Sequence, residues 1–338
     1  MIIVKTPLRV SLFGGGTDFP AWYKNNGGMV ISSSIDKYCY ILLRNFPPFF
    51  PFKYRLRYHQ TEIAKQTKDI KHPVIREVLK KYHKKNNGLE IFYFADVPAL
   101  SGLGSSSAFT VSMINVIHAY NKINISKKDI ASKAIYLEQV VLKENVGSQD
   151  QIATSYGGFN YINFKKQGFE VTKSLAKKST LEELQSRLVL IYSNYTRKSD
   201  NVESSKIKNL KKNSGNYSLL LEISLEAKKI FESNNNNFIP ELAILLNESW
   251  KIKKNLSKQV SNNKLDEIYN YGIKNGAIAG KLLGAGSGGF FLFLTRSKTE
   301  KNKLINSFKK NIHVNFNFEN LGTSIILNNE NKDDYYEI

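Results

Sequence analysis

Pro98-Ala99-Leu100-Ser101-Gly102-Leu103-Gly104-Ser105-Ser106-Ser107-Ala108 is the stretch from which the rest of the chain is read. It follows a strand-like run, Leu89 to Ala95, and leads into Ser105 to Tyr120, an apolar segment of helical length. Glycines let the backbone approach a ligand closely, serines favour the start of a helix, and the unpaired N–H groups of a first turn attract an anion along the helix dipole. A capped helix after a tight turn calls for fewer special residues than the two glycines and four serines found here. The segment therefore reads as a phosphate loop, with a serine hydroxyl in reach of a phosphate-bound Mg²⁺. It lacks the Gly-Lys-Ser/Thr ending of a Walker loop.

Two other glycine-rich segments lie far from it in sequence. Gly284-Ala285-Gly286-Ser287-Gly288-Gly289 fits the dinucleotide pattern G-x-G-x-x-G, but that pattern belongs between a strand and a helix. Here it precedes Phe290 to Thr295, a buried strand by composition. A glycine loop between strands either approaches a ligand or turns a hairpin, and Gly286 and Ser287 are its candidate ligand contacts. Near the N-terminus, Thr6-Pro7-Leu8-Arg9-Val10-Ser11-Leu12-Phe13-Gly14-Gly15-Gly16-Thr17-Asp18 ends a strand in three glycines and a carboxylate. Three consecutive glycines carry an entropic cost, so something requires that backbone. Asp18 can accept hydrogen bonds from sugar hydroxyls, with Gly15, Gly16 and Thr17 beside it; a plain turn is the competing reading.

A chain of 338 residues, 41% hydrophobic and 23% charged, is long enough for two domains and unlike a disordered one. No apolar run reaches the roughly 18 residues of a membrane span. Met1-Ile2-Ile3-Val4-Lys5 enters strand-like sequence without the charged region and cleavage site of a signal peptide, so a cytoplasmic location is expected. Cys39 is the only cysteine, which excludes an intrachain disulfide and a cysteine metal cage. His59, His72, His83, His118 and His313 never pair at metal-ligand spacing. The net charge of +20 raises the question of nucleic acid. Its lysines are scattered, often beside asparagine as in Lys84-Lys85-Asn86-Asn87, and no basic run is interleaved with aromatics. Neither a nucleic-acid nor a membrane partner is expected; a positive field also concentrates anionic substrates.

Strand-like runs at Met1 to Lys5, Arg9 to Phe13, Gly28 to Arg44 and Tyr54 to Gln60 open the chain, before a helical stretch from Pro73 to Lys85. After the phosphate loop come a helix at Lys127 to Glu144 and strands at Phe159 to Phe164 and Arg187 to Tyr192. Helices follow around Ser199 to Lys212, Tyr217 to Ser233, Pro240 to Leu256 and Lys264 to Asn275. Strands Ala277 to Leu283 and Gly289 to Thr295, a helix near Thr299 to Lys310, and strands His313 to Phe318 and Ser324 to Leu327 complete the pattern. This mixed order without regular βα alternation argues for an α+β fold.

The three glycine-rich segments, in this order and at these distances, resemble the signature motifs of the GHMP kinases over nearly the whole chain. The middle one matches P-x-x-x-G-L-G-S-S-x-A through Pro98, Gly102, Leu103, Gly104, Ser105, Ser106 and Ala108. The resemblance implies two domains, 1–185 like ribosomal protein S5 domain 2 and 186–338 ferredoxin-like, with ATP at their junction and Mg²⁺ beside it. It implies nucleotide contacts from Pro98 and Ser101 through Ser107. It assigns metal contacts to Ser106 and to Glu138 of Ala134-Ile135-Tyr136-Leu137-Glu138, and the catalytic carboxylate to Asp150 of Gly147-Ser148-Gln149-Asp150-Gln151. Arg9 would offset charge near the transferring group.

Galactokinases and mevalonate kinases carry a Gly-Glu-His stretch in the first segment. Phe13-Gly14-Gly15-Gly16-Thr17-Asp18, followed by Phe19-Pro20-Ala21-Trp22-Tyr23, looks instead like the D-glycero-D-manno-heptose 7-phosphate kinases and the kinase domain of fucokinase. The chain is too short for an added pyrophosphorylase domain, so the resemblance implies phosphorylation of the anomeric hydroxyl of heptose 7-phosphate. One departure stands out: such kinases often carry Thr-Gly-x-x-Arg after the central strand, where this chain has Tyr195-Thr196-Arg197-Lys198-Ser199. Arg197 and Lys198 are the candidates for gripping the sugar phosphate. Two other classes compete, an RNA-binding protein on an S5-like fold and a sensor that binds ATP and sugar without catalysis. The complete motif set argues against the first, and intact Asp150, Ser106 and Glu138 against the second. The aromatic stretch Phe46 to Phe52 reads as a packed loop before a wall of the adenine pocket.

Overall fold

In the computed structural model, residues 1–195, 200–233, 235 and 237–329 are described. The N-terminal strand-like residues form two long antiparallel partners, β1 (Ile2–Phe13) and β2 (Gly28–Phe46), joined through helix α1 (Pro20–Asn26). The strand continues through Pro7 where the sequence suggested a break. A register shift between Pro7 and Leu8 absorbs the residue that has no N–H to donate.

β2 is long enough to serve two neighbours on its far side. Its first residues pair with β6 (Phe159–Lys165), which pairs with β7 (Gly168–Lys173); its last pair with β5 (Gly88–Ala95). β3 (Tyr54–Arg57) runs parallel to β5 and antiparallel to β4 (Thr61–Ala64). Helices α2 (Pro73–Tyr82) and α3 (Ser105–Tyr120) cover one face around Val78, Ile91, Ile114 and Ile117. α4 (Lys127–Tyr136) leads into a π-helical turn, Leu137–Val141, where the sequence suggested one helix to Glu144. α5 (Gln149–Tyr156) follows, and α6 (Lys178–Arg187) precedes β8 (Leu188–Tyr192).

Next come α7 (Asp200–Lys208), α8 (Ser214–Glu232), α9 (Phe238–Leu256) and α10 (Asn263–Lys274). β9 (Ala277–Leu282), β10 (Phe290–Thr295), α11 (Lys298–Ser307), β11 (His313–Val314) and β12 (Ser324–Asn328) complete the order. A second, wholly antiparallel sheet runs β11-β8-β10-β9. Phe290, Leu292 and Leu294 of β10 face a core shared with Leu8 and Leu12 of β1 and Phe231 of α8. Phe291 and Phe293 face the opposite cluster around Trp250, Leu265 and Leu304. Burial on both faces is why β10 reads as an unbroken apolar run.

β12 returns to the first sheet and pairs with β1, so the chain after residue 186 contributes to both sheets. The α+β class expected from the sequence is the class observed. The strand expected from His313 to Phe318 is shorter, and α1, α6, β4 and β7 add to the elements legible in the sequence.

Candidate active site

The phosphate loop lies between β5 and α3, and its geometry differs in detail from a serine cap. The N-cap of α3 is Gly104, in the left-handed region at φ 74°, and makes no side-chain cap. Ser105, Ser106 and Ser107 are the first three helical residues, whose N–H groups have no intrahelical acceptor. All three line a cleft, with Ser106 exposed and its two neighbours buried. An anion-attracting helix end therefore opens onto the cleft with hydroxyls beside it. The loop keeps its shape by backbone stacking. A Cβ on Gly102 would stand 2.7 Å from the Leu283 carbonyl oxygen, and one on Gly284 would stand 2.6 Å from Gly102 Cα. This contact explains why the C-terminal glycine segment sits between two strands: it backs the phosphate loop.

Beneath Gly104 lies a part-buried ion pair. Arg9 of β1 donates from Nε to Asp150 Oδ1 at 2.8 Å and from Nη2 to Asp150 Oδ2 at 2.6 Å, while its Nη1 donates to the Gly102 carbonyl at 2.7 Å. The Arg9 side chain is 3% exposed and that of Asp150 25%, so the carboxylate meets the cleft and the guanidinium supports it from behind. Asp150 also lies in the first turn of α5, where the dipole favours a negative charge. Arg9 thus positions Asp150 and ties it to the phosphate loop.

Glu138 sits in the π-helical turn, a local irregularity common at functional sites. It is buried and accepts from Ser107 Oγ at 3.0 Å and from Gln151 Nε2, while its Oε1 has no partner among the described residues. Burial pushes its carboxyl up to about 7. Asp18 is buried too, accepting from Gly16 N–H at 2.8 Å and Gln149 N–H at 3.2 Å. Burial, and secondarily the nearby Asp150 carboxylate, raise it to about 6 against the lowering effect of those two amides. A Cβ on Gly147 would lie 1.9 Å from Asp18 Oδ2, so Gly147 is what lets the acidic end of the first segment meet α5.

Of the residues singled out in the sequence, the cleft is lined by Arg9, Gly15, Gly16, Asp18, Gly102, Gly104, Ser105 to Ser107, Glu138, Asp150 and Gly286. Five others lie outside this lining. Thr17 is fully buried, its hydroxyl donating to the Gly14 and Met29 carbonyls. Ser287 bonds the Gln259 carbonyl through its hydroxyl and the Val260 carbonyl through its N–H. Ser101 and Leu103 are buried under the loop, and Pro98 is exposed away from the cleft. Arg197 and Lys198 lie outside the described residues. The aromatic stretch stacks on itself through Phe46, Phe50 and Phe52, away from this cleft. His118 is a core residue bonded to the Ile114 carbonyl.

The cleft also holds Lys206, Lys253, Lys281 and Glu203, none of which belongs to the glycine-rich segments. A signal was present for two of them. Lys253 lies on the apolar stripe Leu242, Leu246, Trp250, Leu256 of α9, and Lys281 sits within the apolar strand β9.

Residues 69–158 match the GHMP kinases N terminal domain and residues 228–314 the GHMP kinases C terminal domain. A D-glycero-alpha-D-manno-heptose 7-phosphate kinase of Campylobacter jejuni is 32% identical over 319 residues, 91% of this chain and 93% of that protein. The bifunctional fucokinase/GDP-fucose pyrophosphorylase of Arabidopsis thaliana is 23% identical over 89% of this chain, which spans only 30% of that protein. The crystal structure of a D-glycero-D-manno-heptose 1-phosphate kinase from Bacteriodes thetaiotaomicron superposes with a TM-score of 0.78 over 96% of this chain and 98% of that one, at 21% identity. That identity carries the fold alone. With both domain models matched and a relative of this identity covered nearly end to end, the chain belongs to the GHMP kinases.

Proposed function

We propose that this kinase transfers the γ-phosphoryl group of ATP to the anomeric hydroxyl of D-glycero-D-manno-heptose 7-phosphate, giving heptose 1,7-bisphosphate and ADP. The observation that carries the chemistry is the Arg9–Asp150 pair set beneath the open N-terminus of α3. Each Asp150 oxygen accepts one hydrogen bond from Arg9 and keeps further lone-pair capacity on the cleft side. Asp150 accepts the hydroxyl proton as the new O–P bond forms and the bond from the γ-phosphorus to the bridging oxygen breaks, with ADP leaving. The amides of Ser105 to Ser107 stabilise the phosphate oxygens, since phosphoryl transfer is mostly positioning and charge neutralisation. Asp18, with Gly15 and Gly16, orients the sugar.

The residues present fit a divalent cation: Glu138 offers a buried oxygen without a partner among the described residues, the Ser107 hydroxyl bonds its other oxygen, and Ser106 lines the same cleft. Glu138 and Ser106 would hold Mg²⁺, with Ser107 steadying the carboxylate. When bound, the ion offsets charge on the β and γ phosphates.

The choice of sugar rests on the 32% identity to the heptose 7-phosphate kinase and on the Gly14 to Asp18 segment. The two heptose kinases among the relatives are named for phosphates at opposite ends of the sugar, and the 7-phosphate reading is preferred because it comes from the more similar protein. We propose as well a division of the chain at 185/186, a cytoplasmic setting, and a product passed toward nucleotide-activated heptose for surface polysaccharide. No helix among the described residues is long and apolar enough to cross a membrane. The +20 charge is taken to gather anionic substrates, with no nucleic-acid partner. ADP release measured with heptose 7-phosphate, fucose, mannose, galactose and mevalonate tests the reading. The highest kcat/KM is expected for heptose 7-phosphate; a higher value for unphosphorylated fucose or mannose would overturn the choice of sugar.

A further inference from the structure

Three lysines from three separate elements converge on the cleft beneath the Gly284 to Gly289 loop. Lys206 of α7, Lys253 of α9 and Lys281 of β9 are 4%, 8% and 5% exposed, and all three line the cleft. Lys206 Nζ donates to the Ala285 carbonyl at 2.6 Å and lies 3.3 Å from Glu203. Lys253 Nζ donates to the Leu282 and Gly284 carbonyls at 2.7 and 2.6 Å. Lys281 Nζ donates to the Leu12 carbonyl at 2.9 Å. In the charged form each ammonium has three donors, so among the described residues protonated Lys253 retains one and protonated Lys281 two.

The charges felt most strongly by Lys253 and Lys281 are mainly positive, with Glu203 as the counter-charge on Lys253, although Asp18, Glu138 and Glu144 also line the cleft. Lys253 feels repulsion from Lys206, Lys281 and Arg9, and Lys281 from Arg9 and Lys206. Glu203 is the carboxylate paired with Lys206, while Asp150 is bound to Arg9. Burial, with repulsion from those neighbours, pulls Lys281 down to about 7 and Lys253 well below the ordinary lysine range. Holding the loop carbonyls alone would not call for charge, because a neutral amide donor does so without the cost of a buried ammonium. An anion entering the cleft would satisfy the remaining donors and the charge together.

We propose that Lys206, Lys253 and Lys281 form a second phosphoryl-binding pocket under the Gly284 to Gly289 loop, distinct from the N-terminus of α3. The pocket rests on the kinase reading of the cleft. Two phosphoryl groups of the same chemistry qualify. One is the phosphate already on the acceptor, since Lys281 is tied to Leu12, just before the Gly14 to Asp18 segment. The other is the γ-phosphate of ATP, since Lys253 is tied to Gly284, which backs onto Gly102.

Calorimetric titration of wild type, Lys281→Met and Lys206→Met with ATP, ADP, heptose 7-phosphate and the corresponding free heptose tests the pocket. A loss of about tenfold or more for heptose 7-phosphate but not free heptose identifies the acceptor phosphate; the same loss for ATP but not ADP identifies the γ-phosphate. Melting temperatures near wild type show that the variants are folded. If neither pair separates in a folded variant, the pocket does not bind a phosphoryl group. A measurement on the wild type needs no variant: with ADP saturating, millimolar inorganic phosphate should raise the melting temperature, and no rise would overturn the pocket. Failure of wild type to turn over heptose 7-phosphate defeats the choice of sugar instead, and leaves the comparison of ATP with ADP intact.

Discussion

Asp150 and Asp18 are both carboxylates in one cleft, and their surroundings separate their roles. Asp150 faces a guanidinium that holds both of its oxygens in place. Asp150→Asn should lower kcat by about two orders of magnitude or more, the span lost when a general base is removed, while calorimetry shows ADP binding unchanged. Turnover near wild type would remove Asp150 from the chemistry. Asp18, raised to about 6 by burial, makes a different prediction. Its folded form binds a proton more tightly than the unfolded chain does, so its contribution to stability is fullest below the unfolded value near 4 and is lost as pH rises through 6. Asn at this position does not titrate. The stability of Asp18→Asn relative to wild type should therefore improve between pH 4 and 7, by on the order of 3 kcal/mol. Denaturant melts at the two pH values measure it, and a difference independent of pH would contradict the burial argument.

At the scale of elements, the site depends on two glycine segments that touch through their backbones. Gly284→Ala places a methyl group 2.6 Å from Gly102 Cα at a residue with φ 70°, so loop and phosphate site must shift together. A destabilisation of about 1–3 kcal/mol is expected, with weaker ADP binding. Gly215→Ala in α8 is the matched control, because nothing lies within 4 Å of its added Cβ; there the change should be neutral or slightly stabilising. Equal effects in thermal melts would show that the stacking does not matter.

This contact also marks what the sequence could convey. The bounds of α3 were legible because an apolar run begins directly after the glycine and serine loop, and Asp150, Glu138 and Asp18 were legible through their motifs. Two things were not. The roles of individual motif residues depend on side-chain direction, which is why Thr17 and Ser287 turn out to brace backbone while Ser107, not Ser106, bonds Glu138. Lysines in a chain of net charge +20 read as solvated surface, so although Lys253 and Lys281 interrupt apolar patterns, that they meet Lys206 is seen only when β9, α7 and α9 are brought to one cleft.

The whole molecule places this cleft where the ends of many elements meet. β1 delivers Arg9, and the turn after it delivers Gly15, Gly16 and Asp18. α3, the π-helical turn and α5 bring the phosphate loop, Glu138 and Asp150, and the second sheet brings Lys281 and the backing loop. β1 and β10 share one apolar core, Leu8 and Leu12 against Leu292, so the two sheets hold both walls of the cleft in register. The fold thereby sets the open N-terminus of α3 and the carboxylate of Asp150 in one cleft, the arrangement on which the proposed transfer to an acceptor hydroxyl depends. Phosphorus NMR of the product made from ATP and heptose 7-phosphate tests that transfer most directly. One ADP is expected per new phosphate ester, with the new phosphorus coupled to the anomeric proton. A phosphate on any other carbon, or ADP released without a new ester, would contradict it.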